Sequence, residues 1–208
     1  MSTHVTFVLD ASGSMEQIAA DTVGGFNSFL ADQRAEPGEA TVSLYEFDST
    51  VGPVYERRPI AEAPELHDET YTPGGQTALH DAIVTAIDET VAQLSALDPD
   101  ERPETVVTVV LTDGKENASE TPQAAVRDRI ESKQADGWEF LFIGANQDAA
   151  LTAGRMGIDA DQSLDMAHTD EGARAAYEST ADQVSQARRE GSTSGFDDAD
   201  RRRQDDAE

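Results

Sequence analysis

The chain has 208 residues, with 42 Asp and Glu against 15 Lys and Arg, a formal net charge of −27 and no cysteine. That length suits one α/β domain with a sizeable core and leaves two full domains cramped, and the missing cysteines exclude disulfides, thiolate metal sites and cysteine nucleophiles together. So acidic a surface repels phosphate backbones, which argues against nucleic acid as a partner, and with no apolar run near the ~20 residues that cross a bilayer and no leader-like N-terminus, no membrane association and a cytoplasmic location are expected.

Apolar runs alternate with helical periodicity along the chain, the βαβ pattern of a mostly parallel sheet. Val5 to Leu9 is a short continuous apolar run of the kind covered on both faces. A helix then reads through Met15, Ile18, Ala19, Thr22, Phe26, Phe29 and Leu30 in steps of three and four. Thr41 to Phe47 predicts a second strand. Val51 to Ile60 pairs with it as a hairpin across Asp48-Ser49-Thr50, and Pro53 and Pro59 put this partner at the sheet edge. Residues 61–76 form a loop rich in Pro, Gly and acids. Leu79, Ile83, Ile87, Val91 and Leu94 then stripe one long helix, and Val106 to Leu111 is the clearest buried strand. Thr121-Pro122 supplies a capping hydroxyl and a first-turn proline for the next helix. Trp138 to Ile143 is a further central strand, followed by a small helix near Ala149–Arg155, a short strand around Ser163–Met166 and a last amphipathic helix from about Asp170 to Arg189. The domain is thus expected over 1–190. Beyond Gly191 the apolar pattern stops, and 191–208 is expected to be a disordered, acidic, Arg-containing tail whose Arg201-Arg202-Arg203 cluster is nearly neutralised by flanking acids.

The basic residues include only two lysines, Lys115 and Lys133. An acidic, lysine-poor surface resembles that of proteins from halophiles, in which molar salt shortens the Debye length to roughly 3 Å and screens self-repulsion.

Three loops carry the candidate chemistry. Asp10-Ala11-Ser12-Gly13-Ser14 follows the first strand, Thr72-Pro73-Gly74-Gly75-Gln76-Thr77 opens the long helix, and Thr112-Asp113-Gly114 follows the VVTVVL strand. In an open α/β sheet, ligands collect at the carboxyl ends of strands where the strand order reverses. Asp10, Ser12, Ser14, Thr77 and Asp113 offer only oxygen, as two carboxylates and three hydroxyls. Such a set suits hard Mg²⁺, with Mn²⁺ compatible. Zinc is disfavoured because the four histidines (4, 67, 80 and 168) are scattered. Taken singly, these residues are ordinary caps and turns; their joint occurrence at strand–helix junctions is what points to a site.

DASGS after a strand, GGQTAL opening a helix and LTDG after a later strand together resemble the von Willebrand factor A-type (vWA) domain and its metal-ion-dependent adhesion site, a likeness covering roughly residues 3–190. The resemblance implies a doubly wound, mostly parallel sheet with one antiparallel edge strand and helices on both faces. It also implies that Ser12, Ser14 and Thr77 are metal ligands, with Asp10 and Asp113 binding directly or through water. The function it implies is a divalent-cation-dependent protein-binding module, without catalysis of its own, whose partner supplies an Asp or Glu to the open coordination position.

The rival is a phosphotransferase or phosphatase of the haloacid-dehalogenase type with Asp10 as nucleophile beside Mg²⁺. It wants a second acid two residues later, where Ser12 stands, and a positioned lysine that Lys115 and Lys133 substitute for poorly. Serine hydrolysis lacks a G-x-S-x-G elbow, and no phosphate-binding Walker loop is present.

Overall fold

The structure is a computed structural model that describes residues 2–145 and 148–207. Six strands, β1 (Thr3–Asp10), β2 (Ala40–Phe47), β3 (Val51–Pro59), β4 (Thr105–Thr112), β5 (Glu139–Ala145) and β6 (Ser163–Met166), form one sheet in the order β3-β2-β1-β4-β5-β6. All neighbours run parallel except β2 and β3. The helices are α1 (Ala19–Ala35), α2 (Leu79–Ser95), α3 (Gln123–Ala135), α4 (Ala149–Arg155), α5 (Asp170–Glu190) and α6 (Asp198–Asp206).

The period-two alternation of the central strands sorts the core into two layers. Phe7, Leu9, Val109 and Leu111 face α1 and α5, whereas Val8, Val110, Phe140 and Phe142 face α2, α3 and α4. Phe7 is the hub of the first layer, edge-on to Phe26 at 5.2 Å and to Phe29 at 5.4 Å, and stacked on Tyr177 at 6.2 Å. Tyr177 lies so close over Gly25 that an added methyl group there would stand 2.1 Å from its ring, so α1 and α5 approach only because position 25 has no side chain. At the far end of α1, the 5%-exposed Arg188 of α5 donates to the carbonyls of Gln33, Glu36, Pro37 and Gly38 and to Gln33 Oε1. The cation thereby satisfies carbonyls that the helix terminus leaves without partners.

A polar seam threads β1. Thr6 Oγ1 lies 3.0 Å from Thr90 Oγ1 of α2, and the wholly buried His4 places Nδ1 2.8 Å from Thr41 Oγ1. Burial, with Arg57 adding to it, lowers the His4 imidazole to about 3. The folded chain therefore holds this ring neutral, while the unfolded chain protonates it near 6.5. Its contribution to stability is complete above pH 6.5 and is lost at about 1.4 kcal/mol per unit as pH falls towards 3. Between pH 6.5 and 4.5, urea unfolding of the unaltered chain should therefore weaken by about 2–3 kcal/mol more than that of His4→Gln; identical slopes would refute this assignment.

Two expectations need correction. Thr121 does not cap α3: the helix begins after Pro122 without a side-chain cap, and the Thr121 N–H instead donates to Asp81 at 2.9 Å. Residues 192–207 are not a disordered tail either. Phe196 is buried in the α1/α5 layer, and α6 opens with a capping box in which Asp197 and Asp200 each accept from the other's backbone. Asp200 also accepts from Ser179 of α5 at 2.7 Å and pairs with Arg203, while Arg201 donates to Ala160 O at 2.9 Å. Polar side chains fasten this helix, so a search for apolar periodicity passes over it.

Candidate metal centre

The strand order reverses between β1 and β4, and the crevice outside their carboxyl ends is where an open α/β sheet places its ligand. Asp10 is the last residue of β1, and Asp113 directly follows β4. The sheet thus delivers both carboxylates to one point, with Asp10 at 0% and Asp113 at 4% exposure.

The three predicted loops meet there. Asp10 Oδ1 accepts from the Ser12 N–H at 2.7 Å and Oδ2 from the Thr112 hydroxyl at 2.5 Å. The Ser12 and Ser14 hydroxyl oxygens lie 3.2 Å apart, and Ser14 donates to Asp113 Oδ1 at 2.5 Å. Thr77 arrives over Gly114: a methyl group added at that glycine would stand 2.6 Å from Thr77 Oγ1 and 3.3 Å from Asp10 Oδ2. The structure therefore brings all five predicted residues around one small volume, floored by a position that must lack a side chain.

Neighbouring backbone locks the loops in place. Ala11 N donates to Phe47 O at 2.7 Å, Gly74 N to Ala11 O at 2.8 Å and Ala78 N to Asp48 O at 2.8 Å. The Tyr71 hydroxyl, buried within the 61–76 loop, donates to Asp10 O at 2.5 Å. Residues 116–119 brace Thr77 from the other side. Asn117 Oδ1 accepts from Thr77 N at 2.9 Å, and Glu116 gathers the N–H groups of His80, Ala118 and Ser119 and the Ser119 hydroxyl. Burial pushes the Glu116 carboxyl up, but these hydrogen bonds outweigh it and hold the group below its ordinary value.

Tyr71, Asn117 and Glu116 went unnoticed in the sequence reading; for Glu116 and Asn117 the available clue was their place directly after the Asp113-Gly114 turn. A further omission is His168, whose Nε2 lies 3.4 Å from Asp113 Oδ2. The histidines are scattered along the chain, but the loop leading into α5 carries one of them to the site.

The residues fit a divalent cation. Burial raises the Asp10 carboxyl above its usual value; the hydrogen bonds from Thr112 and Ser12 lower it in part, and the neighbouring Asp113 charge raises it again. Asp113 Oδ2 is buried without a hydrogen-bond partner among the described residues. Two buried carboxylates side by side are what a bound cation would stabilise. Among the described residues no group of three or more His, Cys, Asp or Glu side chains is placed to hold a metal; the oxygens gathered here are those of two carboxylates and three hydroxyls, a donor set of the hard-cation type.

Residues 4–190 match the von Willebrand factor type A domain family model. Comparison with curated proteins returns no match. Among solved structures, the chain is similar to the pilus adhesin SpaC from Lactobacillus rhamnosus GG in its open conformation, with a TM-score of 0.67, 15% identity and coverage of 89% of this chain and 30% of that one. It is also similar to the ArnB paralog VWA2 from Sulfolobus acidocaldarius, with a TM-score of 0.57 and 20% identity over 86% of this chain and 44% of that one. A third likeness is to proximal thread matrix protein 1 from the mussel byssus with a zinc-occupied MIDAS motif, with a TM-score of 0.59 and 14% identity over 88% of this chain and 46% of that one. At these identities the likeness is one of fold, and the chain spans less than half the length of each of the three. With the family model matching nearly the whole chain, this protein belongs to the von Willebrand factor type A domain family.

Proposed function

We propose that the chain is a divalent-cation-dependent protein-binding module, not an enzyme, in which Asp10, Ser12, Ser14, Thr77 and Asp113 hold Mg²⁺ or Mn²⁺ and an Asp or Glu of a protein partner completes the coordination. The observation that carries this reading is the meeting of three hydroxyls and two buried carboxylates at the β1/β4 switch point. The fold neighbours support it in kind, since one is a pilus adhesin and another has a zinc-occupied MIDAS motif.

Charge counting gives the mechanism. Asp10 and Asp113 supply two negative charges, and the three hydroxyls add none. An ion held there would supply Lewis acidity that a partner carboxylate could engage. Asp10 and Thr112 fix the floor of the site, and Thr77 stands just ahead of α2, held by Asn117. As a nucleophile Asp10 is poorly disposed: it is fully buried, and both carboxylate oxygens are already hydrogen bonded. The phosphotransferase reading therefore loses ground.

At a net charge of −27 the chain repels an acidic partner at long range, so the cation acts only near contact. Molar salt would screen that repulsion, and the proposed setting is a salt-rich cytoplasm. In a pull-down from lysate held in molar KCl, a partner should be retained with Mg²⁺ and released by EDTA. Retention that ignores the chelator would overturn the reading.

A further inference from the structure

Beside the five residues lies a cleft of about 400 Å³, walled by Leu79 and His80 of α2, by Lys115, and by Leu151, Arg155 and Met156 at α4. Lys115 stands two residues past Asp113 and Leu79 two past Thr77, so the cleft adjoins the proposed cation site. Ala149 and Ala153 turn one face of α4 into the core, which sets Leu151 and Arg155, one helical turn apart, on the other. Leu151 is 52% exposed, and Lys115 and Arg155 are exposed with it. A single surface leucine needs no explanation; here it shares a cleft with two cations.

The charges of the cleft are of two kinds. Its acids are engaged by backbone: Glu116 accepts from the amides of His80, Ala118 and Ser119, and Asp148 accepts from Leu151 N at 2.8 Å as the cap of α4. Its cations are not engaged. Elsewhere in this acidic chain basic side chains find acids, as Arg129 finds Asp88 at 3.0 Å, Lys133 finds Asp136 at 2.6 Å and Arg189 finds Glu36 at 2.7 Å. Lys115 and Arg155 form no ion pair among the described residues. At a net charge of −27, two uncompensated cations beside an acid-seeking site are a local reversal of sign.

We propose that this cleft is the second half of the docking surface and that its occupant is an extended acidic segment of the protein partner. One carboxylate of that segment meets the ion, a neighbouring apolar side chain rests on Leu151, and a second carboxylate further along pairs with Lys115 and Arg155. The inference rests on the cation reading above. It leaves the ion's open position to the partner, since no side chain of the cleft is asked to bind the ion. The second carboxylate gains charge-assisted hydrogen bonds, which act at contact and so persist where salt screens longer-range attraction. The exposure of Lys115, Leu151 and Arg155 makes the cleft an open trough, as a peptide chain laid across it needs; a small-molecule pocket encloses its ligand.

The test uses the full chain with Mg²⁺ in about 1 M KCl and fluorescein-labelled synthetic peptides on a Gly-Ser background. One peptide carries a single Glu; a panel carries Glu, an adjacent Leu and a second Glu at successive spacings. In anisotropy titrations the best two-acid peptide should bind at least about fivefold tighter than the single-acid peptide. That advantage should vanish when Lys115→Ser and Arg155→Ser are combined, with Mg²⁺ affinity by calorimetry staying within about threefold. Leu151→Ser should weaken the two-acid peptide by about fivefold and leave the single-acid peptide unaffected. All three positions are exposed, so the variants test contact rather than folding. A panel in which no second acid adds affinity, or an advantage that survives both cation substitutions, overturns the assignment. Mg²⁺-dependent self-association that those substitutions abolish, read by sedimentation, makes the occupant a second copy and overturns it too. Calorimetry decides the cation reading separately: an unaltered chain that takes up no Mg²⁺ overturns both, whereas uptake without gain from a second acid overturns only the cleft.

Discussion

Asp10→Asn should melt close to the unaltered protein in EDTA and lose the whole of its cation-linked stabilisation. An ion that binds only the folded chain adds about 2.7 kcal/mol when present at 100 times its dissociation constant. For a domain of this size that is a rise of roughly 5–11 °C in melting temperature. The substitution removes one of the two charges proposed to hold the ion. It keeps an amide of nearly the same shape, which can still accept from the Ser12 N–H and lie against the Thr112 hydroxyl. The ion-free fold should therefore survive while ion affinity collapses. Differential scanning calorimetry with Mg²⁺ or EDTA reads both quantities at once, and a Mg²⁺-dependent rise that persists in Asp10→Asn would remove Asp10 from the site.

The second large effect lies far from the proposed cation site. Arg188→Met should destabilise the fold by about 3 kcal/mol, or roughly 6–12 °C in melting temperature, without altering ion affinity. Methionine fills much of the same space, but it leaves the carbonyls of Gln33, Glu36, Pro37 and Gly38 buried against an apolar chain. Burial pulls the guanidinium below its ordinary value, with Glu36 opposing, yet an arginine side chain stays charged throughout. Arg188→Lys should recover only part of the loss, because one ammonium cannot span carbonyls that a planar fork reaches from two nitrogens. A Met variant that melts within 1–2 °C of the unaltered chain (about half a kcal/mol) would show that water replaces the cation at the end of α1.

Much of the architecture was written in the apolar pattern. The runs at Val5–Leu9, Val106–Leu111 and Trp138–Ile143 became β1, β4 and β5, and the two prolines marked β3 as the antiparallel edge. Those segments were legible because burial on both faces demands uninterrupted hydrophobicity, a purely local property. That the five oxygen-bearing residues meet was legible for a related reason: each stands where a strand or turn hands over to the next element, and the fold closes that distance in a predictable way. What escaped was everything held by long-range polar contacts. Tyr71 reaches Asp10 across 61 residues, and Gln204 reaches Ala167 across 37. No periodicity announces such a bond. The nearness of His168 to Asp113 escaped for the same reason, since their separation along the chain says nothing of the loop that returns the histidine.

Helix α6 also bears on where this molecule can be cut. The family match stops at residue 190, yet Phe196 fills a slot in the α1/α5 layer and Gln204 answers the backbone of Ala167. Trimming the chain at the family boundary would open an apolar trench along α5, leave Ser179 and the Ala167 amide without their acceptors, and unbolt the stretch that bears His168. A shortened version would therefore be a different object beside Asp113, even though all five motif residues remained in its sequence.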